Sequence, residues 1–158
     1  MAGPNFIFNV AKGRGAELFY RVDISDPAAG VLVMCVLAET GLESDDVLQD
    51  ADTFAAVIAG TTNEVTNVGY SRQELGTAQI TWPGPDDGND RIQLDIPDRN
   101  FGAISSGDTW KKVVVCYDPN AAGGTDSELI PITAHSINVI PDGSQVVISF
   151  PSDWYRAA

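Results

Sequence analysis

Two uninterrupted apolar runs constrain the fold of this chain more than any other feature of its sequence. The first, VLVMCVLAE, spans residues 31–39, and the second, KKVVVCY, spans residues 111–117. Both are rich in β-branched residues, and neither shows the alternation that is typical of a strand with one face in water. Such runs are typical of strands that are buried on both faces. They predict two core strands, the first of them at the centre of a sheet.

From residue 65 onward, turn signals at short intervals divide the chain into predicted strands. These are residues 69–80, 90–97, 111–117, 129–139 and 145–150. The breaks between them are PGPDDGN, DRNFGAISSGD, DPNAAGGTD and PDG. In INVIPDGSQVVISF, an Asp-Gly pair supplies the positive φ that a tight turn needs. This stretch therefore predicts a hairpin between the last two strands.

Helical patterns are confined to two segments. Residues 5–22 mix apolar and basic residues at near-helical spacing, which predicts a helix that is either continuous or interrupted at Gly13 and Gly15. The stretch TGLESDDVLQDADTFAAVIAG is acidic and predicts one short helix, with Phe54 on its apolar side and Asp52 as its N-cap.

The sequence therefore predicts a mainly β protein, a β-sandwich or small barrel with an N-terminal helix and one short acidic helical segment. At 158 residues, we expect a single domain covering 1–158. Within it we distinguish an N-terminal helical docking segment (1–22), a β-rich core (30–151) and a C-terminal tail (152–158).

The net charge of −13 and the pI of about 4.1 disfavour two classes of partner. Nucleic acids and anionic membranes are bound through Lys and Arg, so we expect neither. The sequence has no apolar run near the roughly 20 residues that a membrane helix needs, and its N-terminus lacks the pattern of a signal peptide.

The charge is also unevenly distributed. Lys12, Arg14 and Arg21 are opposed only by Glu17, whereas no Lys or Arg stands between Arg21 and Arg72. Nine acidic residues fall in that interval: Asp23, Asp26, Glu39, Glu43, Asp45, Asp46, Asp50, Asp52 and Glu64. This asymmetry fits complementary contacts with a partner or another copy, or a chance clustering on a solvated face.

No catalytic constellation emerges from the candidate motifs. PDDGND fails the EF-hand pattern because Leu94 stands where the pattern needs Glu, so its acids either surround a cation loosely or form a turn. NEVTNVGY has the residues of a turn, and Glu64 lacks a partner acid. His135, the only histidine, is expected to be a strand residue with its polar tip at the surface. No Ser lies in a nucleophile elbow, so nothing marks the serine of a triad that would use it. The sequence predicts no enzyme and no cofactor.

Cysteine and tryptophan leave alternatives open. Cys35 and Cys116 each lie in an apolar run, so they are either buried free thiols or a disulfide between neighbouring strands. Trp82, Trp110 and Trp154 are core or interface anchors, or a surface on which sugars stack.

Read in order, several segments resemble a family of small virion proteins of tailed bacteriophages. The segments are NEVTNVGY, the NDR before a strand, the VVVCYD strand, LIP, PDG and the terminal WYRAA, and the resemblance covers nearly the whole chain. It implies a minor capsid or head-decoration protein, made in the host cytoplasm and carried on the virion. A tail or neck component is the close competitor, and a cation- or glycan-binding module that uses residues 82–90 is a further alternative.

The resemblance implies a mechanical role, in which the protein binds other proteins of the virion. Decoration proteins bind the major capsid protein and often associate with themselves, for example as trimers, so that many weak contacts add up. The aromatic and basic chain ends are the expected contacts. The predicted docking residues are Phe6, Phe8, Lys12, Arg14, Arg21, Trp154, Tyr155 and Arg156.

Overall fold

A five-stranded antiparallel sheet, with two small sheets packed against it, makes up most of the fold. The computed structural model describes residues 6–150 and 154–157. In this part of the chain the strands are β1 (Phe6–Ile7), β2 (Val31–Ala38), β3 (Gln73–Leu75), β4 (Ile92–Leu94), β5 (Arg99–Ala103), β6 (Trp110–Asp118), β7 (Ile130–Val139), β8 (Gln145–Ile148) and β9 (Tyr155–Ala157). The helices are α1 (Gly15–Asp23), α2 (Asp45–Leu48) and α3 (Phe54–Val57), with a 3-10 turn at Asn9–Ala11. The predicted mainly β architecture of the sandwich or small-barrel class is confirmed.

The two apolar runs are the central strands of the large sheet. The strand order is β1-β7-β6-β2-β3, so β2 and β6 are neighbours and each has another strand on its outer side. Both strands bury consecutive side chains, which point to opposite faces. In β2, Leu32 and Met34 lie on one face, and Val33 and Cys35 lie on the other. The prediction of a strand that is covered on both sides is therefore confirmed.

One face of the large sheet is covered by α1 and by the two small sheets. β4 pairs with β9, and β5 pairs with β8, both antiparallel. Their inward side chains form one apolar cluster with the large sheet. Members of this cluster from the covering layer include Phe19, Leu94, Phe101, Ile148 and Tyr155.

The opposite face is covered by the acidic segment. Leu48 of α2 and Phe54 of α3 pack on the large sheet and are buried. The Thr53 hydroxyl caps α3 by accepting a hydrogen bond from the Ala56 N–H at 3.2 Å. The single predicted helix with Asp52 as its N-cap is therefore two single-turn helices, and the cap of the second is the next residue along the chain.

The N-terminal segment departs from the predicted helix over residues 5–22. Phe6 and Ile7 extend the large sheet along β7, and the α-helix begins only at Gly15. Gly13 has a φ of 82°, a left-handed conformation that an α-helix does not contain. Of the two alternatives, the interruption at the glycines is the one that the structure supports.

The predicted strand over residues 69–80 is reduced to the three residues of β3. Gly69 has a φ of 95°, which bends the chain before the strand. After the strand, Gly76 and Gln79 close a turn, in which the Gly76 N–H donates to the side-chain Oε1 of Gln79 at 2.9 Å. Turn chemistry at both ends therefore shortens a stretch whose composition favours a longer strand.

The last two predicted strands do not form a hairpin with each other. The turn between them exists, because Gly143 has a φ of 100° and the Asp142 carboxylate accepts a hydrogen bond from the Ser144 N–H at 2.9 Å. The chain leaves this turn for the covering layer, where β8 pairs with β5. β5 itself lies in a stretch that the sequence predicts to be a break. The predicted hairpin is therefore wrong in its pairing and correct in its turn.

The C-terminal end is also a strand. β9 pairs with β4, with Tyr155 opposite Leu94. The predicted tail is therefore built into the covering layer as far as the structure describes it. Parts of the predicted terminal segments, residues 1–5, 151–153 and 158, lie outside the described residues.

Candidate docking surface

The aromatic residues among the predicted docking residues are mostly buried within this chain. Phe8 and Trp154 have no exposed surface, and Tyr155 exposes 3%. Phe6 is half-buried, with its ring 5.0 Å from that of Phe8. Buried side chains cannot contact a partner while the chain stays folded. The predicted docking role of Phe8, Trp154 and Tyr155 is therefore corrected: they anchor the chain ends to the chain's own core.

Tyr155 and Trp154 join the C-terminal strand to the start of α1. The Tyr155 ring lies so close to Gly15 that an added Cβ would meet its Cε2 at 2.5 Å. Only glycine leaves room for the ring at this position. Trp154 packs beside Phe19 of α1, with 5.8 Å between the ring centroids. Burial raises the pKa of Tyr155.

This contact brings exposed cations from the two chain ends to the same end of the molecule. Arg14 precedes Gly15, and Arg156 follows Tyr155, so both flank the contact. Lys12 lies two residues further back. We call Lys12, Arg14 and Arg156 the basic end; all three are exposed.

Among the described residues, the cations of the basic end have few partners within the chain. The Lys12 ammonium donates to the Asn9 side-chain oxygen at 2.6 Å, and the Asn9 amide in turn donates to the Asp50 carboxylate. Within residues 6–150 and 154–157, Arg14 and Arg156 have no ion pair. On a chain of net charge −13, these are exposed cations that an acidic partner would neutralise.

Arg21, which the sequence also predicts to dock, is already paired. Its Nε donates to Glu17 one turn away on α1 at 2.9 Å, and both side chains are about half exposed. The hydrogen bond from Arg21 to Glu17 raises the pKa of Arg21. Such i,i+4 pairs are worth only a few tenths of a kcal/mol, so Arg21 remains accessible to a competing carboxylate.

The NEVTNVGY stretch turns out to hold a structural network that the sequence does not predict. Arg72 forms two parallel hydrogen bonds with Glu64, at 2.8 and 2.6 Å, and a third with Asp126 at 2.6 Å. Its guanidinium lies 4.9 Å from the centre of the Phe54 ring. The Tyr70 hydroxyl donates to Glu64 at 2.7 Å. We call Glu64, Tyr70, Arg72 and Asp126 the Glu64 network.

The Glu64 network ties three distant segments to the large sheet. The Tyr70 hydroxyl also accepts a hydrogen bond from the Val36 N–H of β2 at 3.0 Å. Hydrogen bonding to Glu64 raises the pKa of Arg72, and burial together with the negative charge of Glu64 raises the pKa of Tyr70. Arg72 and Tyr70 therefore keep their protons at neutral pH. Glu64 is held by its ion pair with Arg72 and its hydrogen bond from Tyr70, which is a structural role.

PDDGND closes on itself as a turn. The Asp86 carboxylate accepts hydrogen bonds from the Asn89 amide at 2.7 Å and from Arg91 Nε at 3.3 Å. Asp86 and Arg91 also exchange backbone hydrogen bonds across the turn. The hydrogen bond from Asn89, followed by that from Arg91, lowers the pKa of Asp86. Of the two interpretations of this loop, the geometry favours the turn.

His135 is buried, contrary to its predicted place at the surface. It has no exposed surface, and its Nε2 lies 3.0 Å from the Thr133 hydroxyl. Burial, with a smaller contribution from the positive charge of Lys112, lowers the pKa of His135 to about 4. The imidazole is therefore neutral at pH 7, and its hydrogen-bond partner is a hydroxyl in place of the carboxylate of a catalytic triad.

The two cysteines are free and buried on one face of the large sheet. Burial, with a smaller contribution from the neighbouring Cys35, raises the pKa of Cys116 well above its usual value. The prediction of buried free thiols is thus the alternative that the structure supports.

The described residues contain neither a metal cluster nor a membrane-spanning helix, and the chain matches no known protein family. Among the described residues, no three His, Cys, Asp or Glu side chains gather as they would around a metal ion. No helix in residues 6–150 or 154–157 has the length and apolar character to cross a bilayer. No protein-family model matches the chain, and the searches of curated proteins and of solved structures found no match either.

Proposed function

We propose that this protein is a structural component of a tailed-phage virion, a minor capsid or head-decoration protein that binds the capsid shell. Its proposed partner is an acidic surface of the major capsid protein, and neighbouring copies of the chain add further contacts. The observation that carries this proposal is the basic end. Its three exposed cations, none of which forms an ion pair within residues 6–150 and 154–157, stand on a strongly acidic protein.

The anchoring of the chain ends supports a mechanical role. Trp154 and Tyr155 hold β9 against α1, so Arg14 and Arg156 project from a packed surface and not from loose termini. A surface that is ordered before binding loses less conformational entropy when it docks. Repetition of one such contact around a symmetric shell converts a weak interaction into stable attachment.

The first test is the copy number of the protein in purified virions, measured by quantitative mass spectrometry against the major capsid protein. A ratio near one, or a simple fraction of it, supports shell decoration. A copy number between a few and a few tens per particle would indicate a tail or neck component and would rule out shell decoration. Absence from the virion would overturn the proposal.

The second test addresses the contact itself. We expect Arg14→Glu combined with Arg156→Glu to weaken binding of the purified protein to particles that lack it by at least tenfold at low salt. The control is Lys111→Glu, which makes the same kind of charge reversal at a residue already paired with Glu39 at 3.0 Å. Equal binding by the double variant and the control would show that the basic end does not dock.

A further inference from the structure

A shallow groove with a volume of about 250 Å³ opens between two extended segments of the chain. It is lined by Gln79, Ile80, Thr81, Asp95, Ile96 and Pro97. Ile80 and Ile96 expose 5% and 2% of their surface, so they form its floor. The other lining residues are exposed and form its rim. The groove therefore combines an apolar base with a polar edge.

The polar groups of the rim are free to bind a ligand. Within the described residues, Thr81 and Asp95 have no side-chain hydrogen bond, and Gln79 uses only its Oε1, which accepts from the Gly76 N–H. One carboxylate acceptor, one hydroxyl and one amide donor thus face the same opening. No Lys or Arg lines the groove, which disfavours an anionic ligand.

A half-buried aromatic side chain, Trp82, adjoins one end of this groove along the chain. Trp82 directly follows Thr81, and its ring lies 5.1 Å from that of Tyr20, which exposes 41% of its surface. Ile24 exposes 47% at the end of α1. The Thr77 hydroxyl donates to the Val22 carbonyl at 2.8 Å and so fastens the segment before the groove to α1.

We propose that this groove, with Trp82 beside it in the chain, binds an uncharged sugar, as a terminal or internal residue of a glycan. A pyranose ring presents C–H groups that pack on apolar and aromatic surfaces, and hydroxyls that need both donors and acceptors. Asp95, Thr81 and Gln79 supply those groups above an apolar floor. A site with one carboxylate does not supply the six or more oxygens that Ca²⁺ requires. This inference does not rest on a place in the virion.

The test is a titration of ¹⁵N-labelled protein, followed by NMR, with uncharged hexasaccharides of glucose, mannose, galactose, xylose and N-acetylglucosamine. A sulfated heparin hexasaccharide serves as the anionic comparison. We expect at least one neutral sugar to shift the backbone amides of residues 79–82 and 95–96 with a dissociation constant on the order of 1 mM, since a shallow groove buries little of its ligand. The proposal would be overturned if none of the neutral sugars shifted these amides, whether or not the heparin probe did.

Two substitutions separate binding from folding. Asp95→Asn and Thr81→Val keep the size of exposed side chains, so we expect both variants to keep the wild-type spectrum outside the groove. We expect Asp95→Asn to weaken sugar binding by about tenfold and Thr81→Val by a few-fold. The matched control is Asp87→Asn, an exposed acid in the PDDGND turn that does not line the groove. Equal weakening by Asp95→Asn and Asp87→Asn would assign any binding to overall charge and would overturn the site.

Discussion

The large sheet and the two small sheets are held together in different ways. β2 and β6 are 8 and 9 residues long and pair along most of that length. The strands of the small sheets have three to five residues, and their partners come from distant parts of the chain. The large sheet therefore combines many backbone hydrogen bonds with burial on both faces. The small sheets depend on a few large side chains that connect them to it.

Trp110 is the side chain whose loss should break this connection most completely. It lies on β6, and its ring packs at 5.2 Å from Phe101 of β5 and at 5.6 Å from Tyr70. Its indole N–H donates to the Asn67 side chain at 2.9 Å. We expect Trp110→Ala to lower the free energy of unfolding by about 3–5 kcal/mol, measured by urea denaturation. Trp82→Ala, at a half-buried ring, is the control and should cost clearly less; equal losses would contradict this role for Trp110.

Acid should weaken the edge of the large sheet through His135. Its pKa is about 4 in the folded protein and about 6.5 in the unfolded chain. The unfolded chain therefore binds a proton first as the pH falls. We expect stability to decrease between pH 6.5 and pH 4 by up to about 3 kcal/mol from this group, and to be unaffected by it above pH 6.5.

The measurement is the free energy of unfolding against pH for the wild type and for His135→Gln. The carboxylates that titrate at acidic pH are common to both proteins, so the difference between the two curves isolates the histidine. His135 also contacts Phe150, with 5.4 Å between the rings, where the chain has just left β8. A difference that stays constant from pH 7 to pH 4 would show that His135 titrates normally.

Removal of the Arg72 side chain should loosen the acidic layer on the other face of the large sheet. Arg72→Met leaves Glu64 and Asp126 without their cation. The three side chains are 19% to 34% exposed, so water compensates in part, and we expect a loss of about 2 kcal/mol. Arg91→Met, which breaks the pair with Asp86 in an exposed loop, is the control and should cost clearly less, because water screens an exposed pair. Similar values for the two variants would mean that the Glu64 network contributes no more than a surface pair.

Gly15→Ala should open the small sheet of β4 and β9 while leaving the large sheet intact. The added methyl group would collide with the Tyr155 ring, and we expect a loss of about 1–2 kcal/mol although alanine favours helices. Hydrogen exchange measured by mass spectrometry should become faster in β4 and β9 and stay slow in β2 and β6. Gly123→Ala, where the nearest atom to an added Cβ is 3.8 Å away, is the control. Faster exchange throughout the chain would show that the two regions unfold as one unit.

The predictable part of the fold follows from local patterns. Strand β2 can be predicted from its sequence alone, because a run of β-branched apolar residues without alternation is typical of a strand that is covered on both faces. The turn at Asp142 and Gly143 is equally local, since it depends on one carboxylate and one positive φ. Arg14 and Arg156 are exposed, as arginine side chains usually are.

The missed features all depend on contacts between distant residues. The sequence predicts Trp154 to be a docking residue. In the fold it is buried by packing against distant residues such as Phe19, whose ring centre lies 5.8 Å away. The partner of Arg72 at Asp126 lies 54 positions along the chain, so no spacing rule could identify it. The groove above Ile80 and Ile96 is likewise formed by two segments that only the fold places side by side.

The sequence by itself determined the class of the fold, the two core strands, the turn at Asp142 and Gly143 and the acidic charge, because each depends on the residues within a short window. Only the tertiary structure decided which strands pair, which aromatic rings are buried and which cations remain unpaired. The physical reason is that pairing and burial are set by side chains that meet across the sandwich, and their energies depend on partners that local sequence does not contain.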